Sequence, residues 1–146
     1  MSLRPRFHLA FPVTDLSATR RFYVEVLGAR VGRSAARWVD LDLYGHQLSA
    51  HLVDAPISDA PTNGVDGDAV PVRHFGVILP WDRWEGLAER LRAAGTRFRI
   101  EPRIRFAGEP GEQGTFFLDD PAGNALEFKA FRSDSDVFRS EDDDGS

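Results

Sequence analysis

The chain has 146 residues, 42% of them hydrophobic and 11% aromatic, enough to bury one respectable core, and no apolar run approaches the roughly 20 residues of a membrane-spanning helix. It contains no cysteine, which excludes disulfides, thiolate nucleophiles and zinc-finger sites, so any metal must be held by histidine, carboxylate or neutral oxygen ligands. The net charge of −5 is concentrated at the end: residues 132–146 carry six acids against two arginines, which leaves the body near −1 and without the basic face that nucleic-acid binding requires.

The opening "MSLRPRF" lacks the apolar core of a signal peptide, which points to the cytoplasm. A first strand is expected over Arg6 to Val13, with Phe7, Leu9, Phe11 and Val13 on one face and His8, Ala10 and Pro12 on the other. "TDLSATRRFYVEVLG" follows with Leu16, Phe22, Tyr23, Val26 and Leu27 at helical spacing. Thr14 or Asp15 can cap its start, and Gly28 suits its end. Strand-like text then runs through "ARVGR", "RWVDLDLYG" and "HQLSAHLV", with Tyr44, Gly45 and His46 as a turn, His46 reading as a surface residue. Residues 6–53 therefore read as a β-α-β-β-β module, and the Pro-, Gly- and Asp-rich residues 54–71 read as a linker.

The order then repeats over residues 72–131. "RHFGVIL" echoes "FHLAFPV" 66 residues earlier and places His74, Gly76 and Ile78 on one face. A helix from about Trp81 has Asp82 and Glu85 spaced as a capping box, a buried stripe of Trp84, Leu87, Ala88 and Leu91, and Gly95 at its end. Strands at "TRFRIEP", "TFFLDD" and "NALEFKAF" complete the second module, with "RIRFAGEPGEQG" as a candidate substrate loop. Residues 132–146 read as a solvated, disordered acidic tail. The fold expected is α+β: two paired β-α-β-β-β modules forming one domain, a curved eight-stranded mixed sheet with helices on its convex side. The strand edges of two such small sheets predict a homodimer.

His8 and His74 occupy matching places in the two repeats, opposite the helix-facing positions. Glu127 lies in an apolar strand between Leu126 and Phe128, where a carboxylate is costly to bury without a partner. That partner is either a cation held jointly with the two histidines, an arrangement of the non-haem iron kind, or an arginine such as Arg73 or Arg105.

"FHLAFPVTDLSATRRFYVEVLG" at the front and "FFLDDPAGNALEF" at the end resemble the vicinal oxygen chelate superfamily, which includes glyoxalase I, fosfomycin and bleomycin resistance proteins and extradiol dioxygenases. The resemblance spans residues 6–131, and the second segment matches its closing D-P-x-G-x-x-x-E hairpin. It implies that His8, His74 and Glu127 bind one divalent metal, with Fe²⁺ favoured and Zn²⁺, Mn²⁺ or Ni²⁺ as alternatives. A fourth metal-facing position falls in "HQLSAHLV". Counting from Gly45 and Gly123 gives Ser49 as the partner of Glu127, with His51 and Gln47 on the same face. His51 is then either a ligand through a bulge or an acid/base beside the metal. The reading that follows is an extradiol-dioxygenase-like enzyme acting on a small oxygenated molecule. A glyoxalase-type lyase, isomerase or thiol transferase is second and a non-catalytic small-molecule binder third. Phe117 departs from the tyrosine usual in extradiol enzymes. Tyr44, Phe106, Phe117, Arg103 and Arg105 are weak candidates for an aromatic, anion-tolerant pocket, with Gln47 and Ser49 beside them.

Overall fold

The computed structural model describes residues 4–140. Among the described residues ten strands form two four-stranded sheets and one two-stranded sheet, and no helix is long and apolar enough to cross a membrane. The chain divides into two compact units, each built around one four-stranded sheet.

Unit 1 comprises residues up to Asn63 together with Ala69–Arg73 and Asp119–Asn124. Its strands are β1 (His8–Val13), β2 (Arg30–Ala35), β3 (Trp38–Leu43) and β4 (His46–Leu52), ordered β1-β4-β3-β2. β1 runs parallel to β4, and a parallel pair needs a crossover, which the helix after β1 provides. That helix begins as α1 (Leu16–Arg20), where the Asp15 carboxylate accepts the Ala18 N–H at 2.9 Å. It continues as a π-helix over Arg21–Val26, closed by a bond from Leu27 N–H to the Phe22 carbonyl. The wider turn was not foreseen from the periodicity; it surrounds Tyr23, fully buried beneath Phe11 and Phe22. Phe11, Val13, Leu41, Leu43, Leu48 and Ala50 form the core with Tyr23 and Leu27, as the period-two alternation requires.

Unit 2 comprises Gly64–Asp68, His74–Leu118 and residues from Ala125 onward. The strands β7 (Phe75–Ile78), β8 (Phe98–Arg105), β9 (Gln113–Asp119) and β10 (Ala125–Phe131) are ordered β7-β10-β9-β8, the order of unit 1 repeated. The helix α2 (Trp81–Ala93) buries Trp84, Leu87, Ala88 and Leu91, the stripe expected. Its N-cap is Pro80 with no side-chain bond, so the capping box of Asp82 and Glu85 does not form. Asp82 lies in the first turn, where a carboxylate still favours the positive end of the helix dipole. Trp84 stacks on Phe116 and donates its indole N–H to the Phe128 carbonyl at 2.9 Å. Gly114 makes room for that ring: a Cβ there would stand 2.6 Å from it.

Two segments differ from expectation. The linker contains a hairpin, β5 (Thr62–Val65) and β6 (Asp68–Pro71), turned by Asp66 and Gly67, both at positive φ. An Asp-Gly pair suits such a turn because its twist matches that of the flanking strands. At the hairpin tip Asp66 and Asp68 pair with Arg105 and Arg103 of β8. The expected disorder from Arg132 onward meets defined contacts over the first residues: Arg132 pairs with Glu112 and lies 4.0 Å above the Trp81 ring, and Asp136 accepts the Gly111 N–H. The acidic residues 141–146 lie outside the described part of the chain. The candidate substrate loop shrinks to residues 106–112, because β8 and β9 take its two ends.

Candidate functional site

In unit 1 the register between β1 and β4 pairs His8 with Gln47, Ala10 with Ser49 and Pro12 with His51. Across β3 the same face continues with Asp42, Asp40 and Trp38. His8, Gln47, Ser49, His51 and Asp40 therefore share the side of the sheet opposite its buried core. His8 Nδ1 lies 2.8 Å from Gln47 Oε1. The amide oxygen can only accept, so Nδ1 is the donor in this contact, and in the neutral tautomer that donates from Nδ1 the Nε2 lone pair is left for another partner. The backbone before His8 is fixed from the same turn: Phe7 N–H donates to His46 Nδ1 at 3.0 Å, and Gln47 N–H to the Phe7 carbonyl at 2.9 Å. His46 is thus a positioning group rather than a bystander at the surface. Ser49 is buried and donates its hydroxyl to Asp40 Oδ1 at 2.6 Å. His51 is exposed on that face.

In unit 2 β10 pairs Glu127 with Gly76, two residues beyond His74. His74 stands to Gly76 and Glu127 as His8 stands to Ala10 and Ser49, so the strand register makes Ser49 the counterpart of Glu127. A Cβ at Gly76 would fall on the Glu127 carbonyl oxygen, so only glycine lets β7 lie this close to the strand carrying Glu127. Glu127 Oε2 is 3.1 Å from His74 Nε2, and its Oε1 accepts the Thr115 hydroxyl at 3.1 Å. Phe117, itself buried, packs edge-on against the His74 ring at 5.0 Å. Burial pushes the Glu127 carboxyl up. The hydrogen bond from His74, the charges of Lys129 and His74 and the Thr115 hydroxyl outweigh it and leave the pKa below its ordinary value.

The partner of Glu127 is accordingly His74 and not an arginine. Arg73 donates to the Ser58 carbonyl, and Arg105 pairs with Asp66 while lying 5.0 Å above the Phe106 ring. Among the described residues no three His, Cys, Asp or Glu side chains gather into a metal-holding group. The donor chemistry nevertheless suits a divalent ion. Two ligands at right angles, each ~2.1 Å from one ion, lie about 3 Å apart, which is the spacing of His74 Nε2 and Glu127 Oε2. The acid on β3 was missed in the sequence although "WVDLDL" places Asp40 and Asp42 on the Ser49 side by simple alternation.

The closing "DPAGN" turn is held in unit 1. Asp120 is buried and accepts from Ala122 N–H, Asn124 N–H, the Asn124 amide and the Tyr23 hydroxyl, each at 2.9 Å. Asn124 also donates to the Pro12 carbonyl at 2.8 Å. Burial, then the charge and hydrogen bond of Asp120, push the Tyr23 hydroxyl well above its ordinary pKa of 10.0.

Comparison with curated proteins finds no match by sequence. Among solved structures, the chain is similar to a glyoxalase/bleomycin resistance protein/dioxygenase from Alicyclobacillus acidocaldarius, at 32% identity over 92% of this chain and 96% of that one, with a TM-score of 0.76. It shares its fold with the fosfomycin resistance protein FosX of Listeria monocytogenes, at 17% identity, 92% and 98% coverage and a TM-score of 0.67. It does so too with a lactoylglutathione lyase of Agrobacterium tumefaciens, at 18% identity, 89% and 96% coverage and a TM-score of 0.63. The profile of one family matches residues 7–128, spanning both modules and the paired histidines. With the repeated strand order, that match makes the chain a member of the Glyoxalase/Bleomycin resistance protein/Dioxygenase superfamily.

Proposed function

We propose that this protein is a metal-dependent enzyme in which His8, His74 and Glu127 hold one divalent ion and a small molecule binds through two neighbouring oxygens. The observation that carries the reading is the His74–Glu127 pair, a buried-strand carboxylate facing an imidazole at the spacing of adjacent ligands. Two of the three expected ligands have a partner suited to orient them: Gln47 holds His8 by Nδ1, and Thr115 holds one oxygen of Glu127. When bound, the ion supplies Lewis acidity to the substrate oxygens. His51, on the same face as His8, moves a proton at its imidazole.

Within this class the leading reaction is oxygen-dependent ring cleavage of the extradiol kind with Fe²⁺, because two histidines and one carboxylate leave coordination positions free. Phe117 gives the second reading its support: its ring meets His74 in a T-shaped contact and carries no hydroxyl, which favours a glyoxalase-type lyase, isomerase or thiol transferase using Zn²⁺, Mn²⁺ or Ni²⁺. The protein acts as a cytoplasmic homodimer in either case.

The test is metal analysis of anaerobically purified protein, then oxygen uptake with a panel of catechols. Stoichiometric iron and uptake support ring cleavage; bound metal with no uptake moves the assignment to the second reading. Protein that retains none of the four metals after reconstitution overturns the proposal. Sedimentation showing only monomer at micromolar concentration overturns the dimer.

A further inference from the structure

The Ser49–Asp40 pair is a reversed copy of the Thr115–Glu127 pair. In unit 2 the hydroxyl stands on β9 and the carboxylate on β10; in unit 1 the carboxylate stands on β3 and the hydroxyl on β4. Either arrangement clips two strands together. The reversal changes where the charge stands, moving it toward β2. There a cavity of about 310 Å³, at the small end of ligand pockets, is lined by Arg6, Arg33, Asp40, Asp42, His46 and Gln47.

Three features of this cavity suit a ligand with two unlike ends. Its two arginines and two aspartates form no ion pairs with one another; the ion pairs of the described residues lie elsewhere. Asp42 Oδ1 is taken by the Gly45 N–H and His46 Nδ1 by the Phe7 N–H, whereas Asp40 Oδ2 has no hydrogen-bond donor. Gly32 keeps the space beside Asp40: a Cβ there would already touch the Asp40 Cβ at 3.5 Å, and a longer side chain would fill the cavity.

We propose that unit 1 binds a small hydroxy acid or amino acid here, its hydroxyl or ammonium group donating to Asp40 and its anionic end meeting Arg6 and Arg33. Ser49 holds the carboxylate in place for that bond. The lining shares Gln47 with the partner of His8, but the proposed bonds need no metal and no residue of unit 2, so binding to metal-free protein tests them apart from the metal-centred reading.

The experiment is calorimetric titration of chelator-treated protein with glycerate and with serine, against inorganic phosphate and ethanolamine as probes that carry one end only. Glycerate or serine is expected to bind more tightly than either single-ended probe. Asp40→Asn, which keeps a partner for Ser49, is expected to weaken binding about tenfold or more, the order of one charge-assisted hydrogen bond. Gly32→Leu is expected to abolish it with the circular dichroism spectrum unchanged. The proposal is overturned if neither dipolar probe binds at concentrations on the order of 10 mM. It is equally overturned if phosphate alone binds as tightly as glycerate, or if Asp40→Asn binds like the wild type. If Gly32→Leu does not fold, the Asp40→Asn titration decides alone.

Discussion

Along the first strand and directly across it, unit 1 carries His8, Ala10 and Ser49 where unit 2 carries His74, Gly76 and Glu127. The backbone framework is the same, yet the side chains meet differently. His8 faces a neutral amide, while His74 faces a carboxylate. Unit 1 tolerates a Cβ where unit 2 has room for none. A repeat can thus preserve its strand register, which the buried face enforces, while the opposite face is free to place charge on different strands.

The largest test of this asymmetry removes the carboxylate. Glu127→Ala should lower metal affinity by more than about a hundredfold, beyond what outer partners of a ligand usually cost. Ser49→Ala, at the equivalent place, should keep the metal. Metal content after dialysis distinguishes them, and equal loss from both would erase the distinction between the units. Next, His51→Ala should retain metal while turnover on the true substrate falls by roughly 10²–10⁴-fold, the usual worth of a positioned acid/base. Loss of metal instead would make His51 a ligand.

The backbone difference comes third. Gly76→Ala should cost on the order of 4 kcal/mol, in the tail reserved for strain in a tight site, because the new methyl meets the Glu127 carbonyl. Ala10→Gly should cost no more than about 1 kcal/mol. Urea denaturation reads both.

The two units should also fail at opposite ends of the pH scale. Glu127 has a lowered pKa when folded, so its contribution is present above the ordinary value of 4.5 and is lost as pH falls through the folded one. Tyr23 has a raised pKa, so its contribution is full below 10.0 and declines as pH rises toward the folded value. Tyr23→Phe should cost about 1.5–3 kcal/mol at neutral pH, as for a hydrogen bond to a charged group, and should remove the alkaline decline. Melting temperature against pH for Tyr23→Phe and Glu127→Gln checks both limbs. The smallest effect belongs to the chain end. Deleting residues 141–146 should leave the melting temperature unchanged. Asp136→Ala should cost about 1 kcal/mol by releasing the Gly111 N–H and loosening residues 106–112.

Local periodicity was enough to read the two-module order, the strand faces and the α2 stripe, because side-chain direction repeats every two residues in a strand and every 3.6 in a helix. His8, His74 and Glu127 could be picked out by the same means, as polar residues at matching places in two apolar patterns. The β5–β6 hairpin was not read, although "VDGDAV" carries an Asp-Gly turn signal, because the Pro and Gly around it leave no strand periodicity to frame that turn. What a polar side chain bonds to is a different matter, since partners far apart in sequence compete for it and only the folded register decides. Glu127 had two arginines to choose from and met His74. Ser49 was legible as the counterpart of Glu127, but its bond to Asp40 came from pairing two strands whose shared face carries several polar groups. His46 became the anchor for the strand start because β1 and β4, 38 residues apart at their first residues, lie side by side. Periodicity sets which way a side chain points; the packing of distant strands sets what it finds there.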